Sequence, residues 1–122
     1  MAKVTSKSTI KKSAMEIVMA FIKALNKEDF ASGRKYIRDD MKFIGVLGTR
    51  DGGDVYMQDM TKMKMKYKIN KTFENGNDVC LYYELTMSGQ DIPGFGLYHL
   101  KGGKIETITA IFDPHPILEQ KK

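Results

Sequence analysis

Residues 13–27 read SAMEIVMAFIKALNK, a helical stretch with too little polar surface to lie on the outside of a protein. Ala14, Met15, Ile17, Val18, Met19, Phe21, Ile22, Ala24 and Leu25 are apolar. Only Glu16, Lys23 and Lys27, spaced by seven and four, line up as a narrow polar stripe. A helix of this kind needs cover over most of its circumference. Ser13 followed three residues later by Glu16 is a capping box, which satisfies two otherwise unpaired amides and places the helix at 13–26. The remaining chain is rich in period-two alternation, so the expected arrangement is a curved sheet wrapped around this helix.

The rest of the chain supplies that sheet. Asp29 is placed to cap a short second helix over 30–37, with Phe30, Tyr36 and Ile37 inward, Arg34, Lys35 and Arg38 outward, and Asp39 and Asp40 ending it. A strand is expected over 41–47, then a turn cluster from Gly48 to Gly53 that includes Arg50. Asp54 is the expected cap of a third helix carrying Tyr56, Met57, Met60 and Met63 on one face. From Lys64 the period becomes two: Lys64, Lys66 and Lys68 alternate with Met65, Tyr67 and Ile69. Asn75 to Asp78 forms a hairpin turn, and Val79, Leu81, Tyr83, Leu85 and Met87 alternate along the returning strand. A loop over 88–93, strands over 95–101 and 104–112, and a stop at Asp113, Pro114, His115 and Pro116 complete an α+β order. Three helices and one early strand precede a four-stranded antiparallel meander.

Length and charge narrow the function. With 122 residues the chain is read as a single domain over 13–118, with a basic tail at 1–12 and a short tail at 119–122. The net charge of +5 sits in those tails, because the body carries fourteen basic and fourteen acidic residues. A polyanion footprint on the domain is therefore not expected, and neither nucleic acid nor membrane is an expected partner. The first twelve residues hold no apolar signal region, so the cytoplasm is the expected compartment. Cys80 has no partner for a disulfide, and His99 and His115 lack companions at metal-ligand spacing, so no metal and no cofactor are expected.

FIKALNKEDF followed by YIRDDMKFIGVLG, Gly53 and Tyr56 at the third helix, and KGGKIETITAIFDP at the end are similar, in order and spacing, to the NTF2-like superfamily. Within it the chain most resembles the SnoaL-like and ketosteroid-isomerase-like group, over about residues 14–116. The resemblance implies a cystatin-like cone: a strongly bent antiparallel sheet on a long N-terminal helix plus two shorter ones, with a blind pocket at the wide end. It also implies homodimers paired through the outer sheet face, which would bury Tyr82, Leu97 and Ile111.

Phe21, Phe43, Tyr56, Met60, Tyr83, Tyr98 and Phe112 are the candidate pocket lining for a small hydrophobic molecule, the plain alternative being that they fill a core. The catalytic candidates are few. A ketosteroid isomerase needs a carboxylate base, a phenol and a protonated acid. Matched residue by residue, those positions hold Gly45, Phe21 and Gly96, so that activity is not expected; loss of one oxyanion donor alone costs about a hundredfold or more. An epoxide hydrolase of this type would need an Asp, Arg, Asp set inside the cone, and Arg34, Arg38 and Arg50 all read as outside it. Tyr83 and Tyr98 remain as hydrogen-bond donors, with His99 and Asp113 as titratable candidates. Strand parity turns His99 outward if Tyr98 and Leu100 face the helix, and Asp113 has a turn role available to it.

Overall fold

The computed structural model describes residues 12–87 and 89–116. The two tails fall outside the described residues, apart from Lys12. In chain order the elements are α1 (Ala14–Asn26), α2 (Phe30–Arg34), β1 (Ile37–Gly45), β2 (Gly48–Asp51), α3 (Gly53–Met63), β3 (Lys66–Asn75), β4 (Asp78–Met87), β5 (Gln90–Lys101) and β6 (Lys104–Phe112).

The N-terminal helix forms as its pattern demands. The Ser13 hydroxyl accepts from the Glu16 amide at 3.1 Å, and the Glu16 carboxylate accepts from the Ser13 amide at 2.9 Å. Ile17, Val18, Phe21, Ile22, Ala24 and Leu25 are buried, while Glu16 and Lys23 stay in water. Burial of each large side chain stabilises by roughly 1.5–3 kcal/mol, so this helix anchors the core. Its last turn is fastened to the sheet: the Asn26 side-chain amide donates to the Tyr67 carbonyl at 2.9 Å and accepts from the Tyr67 amide at 2.7 Å. That pairing mimics a strand neighbour and fixes where β3 begins.

The sheet has six strands in the order β2-β1-β6-β5-β4-β3, curves around α1 and does not close into a barrel. All neighbours are antiparallel except β1 and β6, which run parallel. The expected all-antiparallel sheet is corrected in that one pair. Along β4, Val79, Leu81, Tyr83 and Leu85 are buried, and along β5 Ile92, Gly94, Gly96, Tyr98 and Leu100 are, so one face of both strands points inward throughout. Parity accordingly turns His99 to the outside.

Several boundaries move for identifiable reasons. The second helix stops at Arg34 instead of reaching Ile37, because Ile37 pairs with Ile105 and the Tyr36 carbonyl accepts from the Ile105 amide at 2.9 Å. Asp39 and Asp40 therefore lie in β1, where they meet Arg34 and Arg38 at 2.6 Å and 2.8 Å. The turn read at 48–53 contains β2, which hairpins back on β1 through Gly48↔Gly45 and Arg50↔Phe43. Gly52, not Asp54, is the N-cap of α3, since the Asp54 carboxylate is taken by Arg34 at 2.7 Å. Lys64 caps the end of α3 in the left-handed conformation (φ 50°), which delays β3 to Lys66. The expected loop over 88–93 is largely strand. Pro93 is accommodated because it lies past the end of β6, where β5 has a neighbour on one side only. Among the described residues no helix is long and apolar enough to cross a membrane.

Candidate functional site

Helix α1 does not cover the whole inner face. Beyond it, α3 stands off from the sheet and leaves a cavity of about 340 Å³. Tyr56, Asp59, Met60 and Met63 reach it from α3, Tyr83, Leu85 and Met87 from β4, Ala110 and Phe112 from β6, and Phe43 from β1. Met65 and Tyr67 close one side, and the β1–β2 hairpin, with Val46, Leu47 and Arg50, forms the other. The volume falls in the range of small-molecule sites, and the wall is mostly apolar.

Of the seven residues expected to line the pocket, Phe43, Tyr56, Met60, Tyr83 and Phe112 do so. Phe21 and Tyr98 are buried but stand one layer behind. The Phe21 ring is 6.5 Å from that of Tyr56, and Tyr98 lies over Gly96. Of the titratable candidates, His99 faces outward, with Nδ1 2.7 Å from Asp78 and Nε2 3.8 Å from Glu106. Asp113 is exposed and accepts from the His115 amide at 3.0 Å, a turn contact outside the cavity.

Aromatic packing shapes the interior. Phe43 and Tyr56 stack tilted at 5.2 Å, and Tyr67 meets Tyr83 edge to face at 5.2 Å. Burial raises the pKa of Tyr56, Tyr67, Tyr83 and Tyr98, and neighbouring phenols or, for Tyr83, Cys80 add to it. At neutral pH these phenols keep their protons and act as donors, not as bases. The Tyr67 hydroxyl has a weak acceptor in the Met60 sulfur at 3.9 Å.

Aromatic rings crowd both glycines matched to the steroid-isomerase acids. A Cβ on Gly45 would lie 2.7 Å from the Phe43 ring, and one on Gly96 would lie 2.8 Å from the Tyr98 ring. A side chain at either position would require the neighbouring ring to shift.

Two residues missed by the sequence reading carry the only charges on the described wall. Arg50, set aside as a turn residue, sits in β2 and donates from Nε to Asp59 Oδ2 at 2.7 Å. Asp59 has a legible signal in hindsight: 56, 59, 60 and 63 fall on one helical face, so a carboxylate at 59 points where Tyr56 and Met60 point. Arg34 and Arg38 do lie outside the cavity. The wall thus holds one Arg–Asp pair and no second carboxylate among the described residues, and among those residues no cluster of His, Cys, Asp or Glu could hold a metal ion.

No family model and no curated protein matches the chain. Solved structures do. An NTF2-like protein of unknown function from Cytophaga hutchinsonii is 44% identical, with 88% of this chain and 96% of that one covered and a TM-score of 0.87. An LEH-like epoxide hydrolase from M. tuberculosis shares the fold at 22% identity, covering 87% and 86% of the two chains with a TM-score of 0.74. TerC, co-crystallised with polyporic acid, shares it at 14% identity, covering 87% and 95% with a TM-score of 0.75.

Proposed function

Because the chain belongs to the NTF2-like superfamily, we propose that its cavity is the binding site of a small, largely apolar molecule. The observation that carries this reading is a hollow of about 340 Å³ walled by methionine, aromatic and aliphatic side chains on the same sheet face that packs against α1 in the core. Apolar surface left concave and uncovered is stabilised by a guest that excludes water from it. Met60, Met63, Met65 and Met87 give the wall a flexible, polarisable lining that adapts to more than one shape. The fold shared with an epoxide hydrolase and with a protein co-crystallised with polyporic acid supports a ligand-holding cavity of this type. For proton transfer, Asp59 is the one carboxylate on the described wall, so a cyclase-, isomerase- or hydratase-type reaction would have to pass through it.

Filling the hollow from within tests the reading. Ala110 lies on the inner face of β6 opposite Gly96, and Ala110→Phe places a ring in the cavity. Calorimetric titration with methyl octanoate is expected to give saturable binding to the unmodified protein and at least tenfold weaker binding to the variant. Equal binding by both would sink the proposal.

Self-association through the outer sheet face is a second reading with its own support. Phe73, Phe95, Leu97 and Ile111 are exposed there, and Tyr82 stacks on Phe95 at 4.9 Å. The register sets these side chains in adjacent rows across β3 to β6, an apolar patch that a second copy of the same chain can cover isologously.

A further inference from the structure

The Arg50–Asp59 pair at the cavity is joined by a single hydrogen bond, from Nε to Oδ2 at 2.7 Å. Among the described residues, neither Nη group of Arg50 nor Oδ1 of Asp59 has a further hydrogen bond. The pair thus retains unused donors on Arg50 and an unused acceptor on Asp59, while adding no net charge to an otherwise uncharged wall. The Asp59 side chain is 26% exposed and that of Arg50 54% exposed, which places the pair between the apolar interior and water.

From this we propose that the ligand carries an uncharged polar head with a hydrogen-bond donor and an acceptor close together, such as a carboxamide or a hydroxyl beside a carbonyl, held by Asp59 and Arg50. The proposal rests on the reading of the cavity as a ligand site and specifies the class of ligand. Charge balance decides between head groups. An anionic head drawn to Arg50 also meets Asp59, and a cationic head drawn to Asp59 also meets Arg50. With attraction and repulsion nearly cancelled, either ion loses hydration without a compensating partner. A neutral donor–acceptor head loses far less hydration, accepts from an Nη group and donates to Oδ1, so both free groups are satisfied at once. The phenols of Tyr56, Tyr67 and Tyr83, held protonated by burial, add donors but no charge further inside.

Four probes that share one apolar chain separate the head from the tail: octanamide, octanoate, octylamine and methyl octanoate, titrated calorimetrically into the full chain at neutral pH. Octanamide is expected to bind about tenfold tighter than each of the others, as the gain of two modest hydrogen bonds implies. In Asp59→Asn the wall gains a net positive charge, and octanoate is expected to overtake octanamide. In Arg50→Met, octanamide is expected to lose its advantage over methyl octanoate. Both side chains are partly exposed, and circular dichroism reports whether each variant keeps the fold. Equal affinities for all four heads, tightest binding of an ion by the unmodified protein, or an unchanged ranking in Asp59→Asn would overturn the head-group proposal while leaving the cavity reading in place. Failure of all four to bind would overturn both.

Discussion

The two faces of the central strands both carry apolar side chains, and they differ in curvature and in what covers them. On the inner face Val79, Leu81, Tyr83 and Leu85 share one buried core with residues of α1 and α3, and the cavity is left open beside it. On the outer face Phe95, Leu97 and Ile111 are left exposed by the described residues, with Tyr82 stacked on Phe95. Curvature separates what each face can do: a concave apolar surface can enclose a molecule of limited size, whereas the convex outer one can be covered only by a partner surface of matching area. Strict inside-apolar, outside-polar alternation would have left only the first.

The contrast is tested most strongly by removing one large group from the inner side. Phe21 is fully buried, and Phe21→Ala is expected to lower unfolding stability by about 3–5 kcal/mol in denaturant titration. A loss below about 1 kcal/mol would mean that the helix is not held as its burial implies.

Alkaline pH probes the same interior. The phenols of Tyr56, Tyr67, Tyr83 and Tyr98 are raised by burial, so above about pH 10 the unfolded chain releases protons that the folded chain keeps. Their contribution is complete below that point and is lost as pH rises toward the folded values. Each phenol steepens the fall by up to about 1.4 kcal/mol per pH unit. The melting temperature should therefore drop between about pH 10 and pH 11, and Tyr83→Phe should make the drop shallower. An unchanged slope in that variant would place the Tyr83 phenol in water.

The outer face should give the smallest change in stability. Leu97→Lys is expected to shift the unfolding free energy of the dilute protein by less than about 0.5 kcal/mol. If a second copy covers this face, the unmodified chain is expected to self-associate with rising concentration in sedimentation, and the same substitution to abolish that association. An unmodified chain that sediments as a monomer at all concentrations would remove the docking role from this face.

The parts legible in the sequence were those specified locally. The capping box at Ser13 and Glu16 fixed the start of α1, and the alternation in β4 and β5 fixed the inner face, because each signal lies within a few residues. The misplaced parts depend on strand pairing that their own residue types do not announce. Ile37 joins the sheet because Ile105 lies beside it, and Gly48–Asp51 becomes a strand because β1 offers an edge, although its glycine and aspartate read as a turn. The same error hid Arg50, since a residue assigned to a turn has no predictable side. Phe21 and Tyr98 were rightly expected inside, but which inward residues border a hollow depends on how far α3 stands from the sheet, and no local pattern encodes that distance.

The central claim is that the inner face keeps an open site for an apolar guest, and the methionines allow it to be read directly. In a methionine-methyl NMR titration with methyl octanoate, the signals of Met60, Met65 and Met87 on the cavity wall are predicted to shift saturably, while those of Met41 and Met57, buried elsewhere, stay in place. Absence of saturable shifts, or shifts confined to methionines away from the wall, would contradict the account.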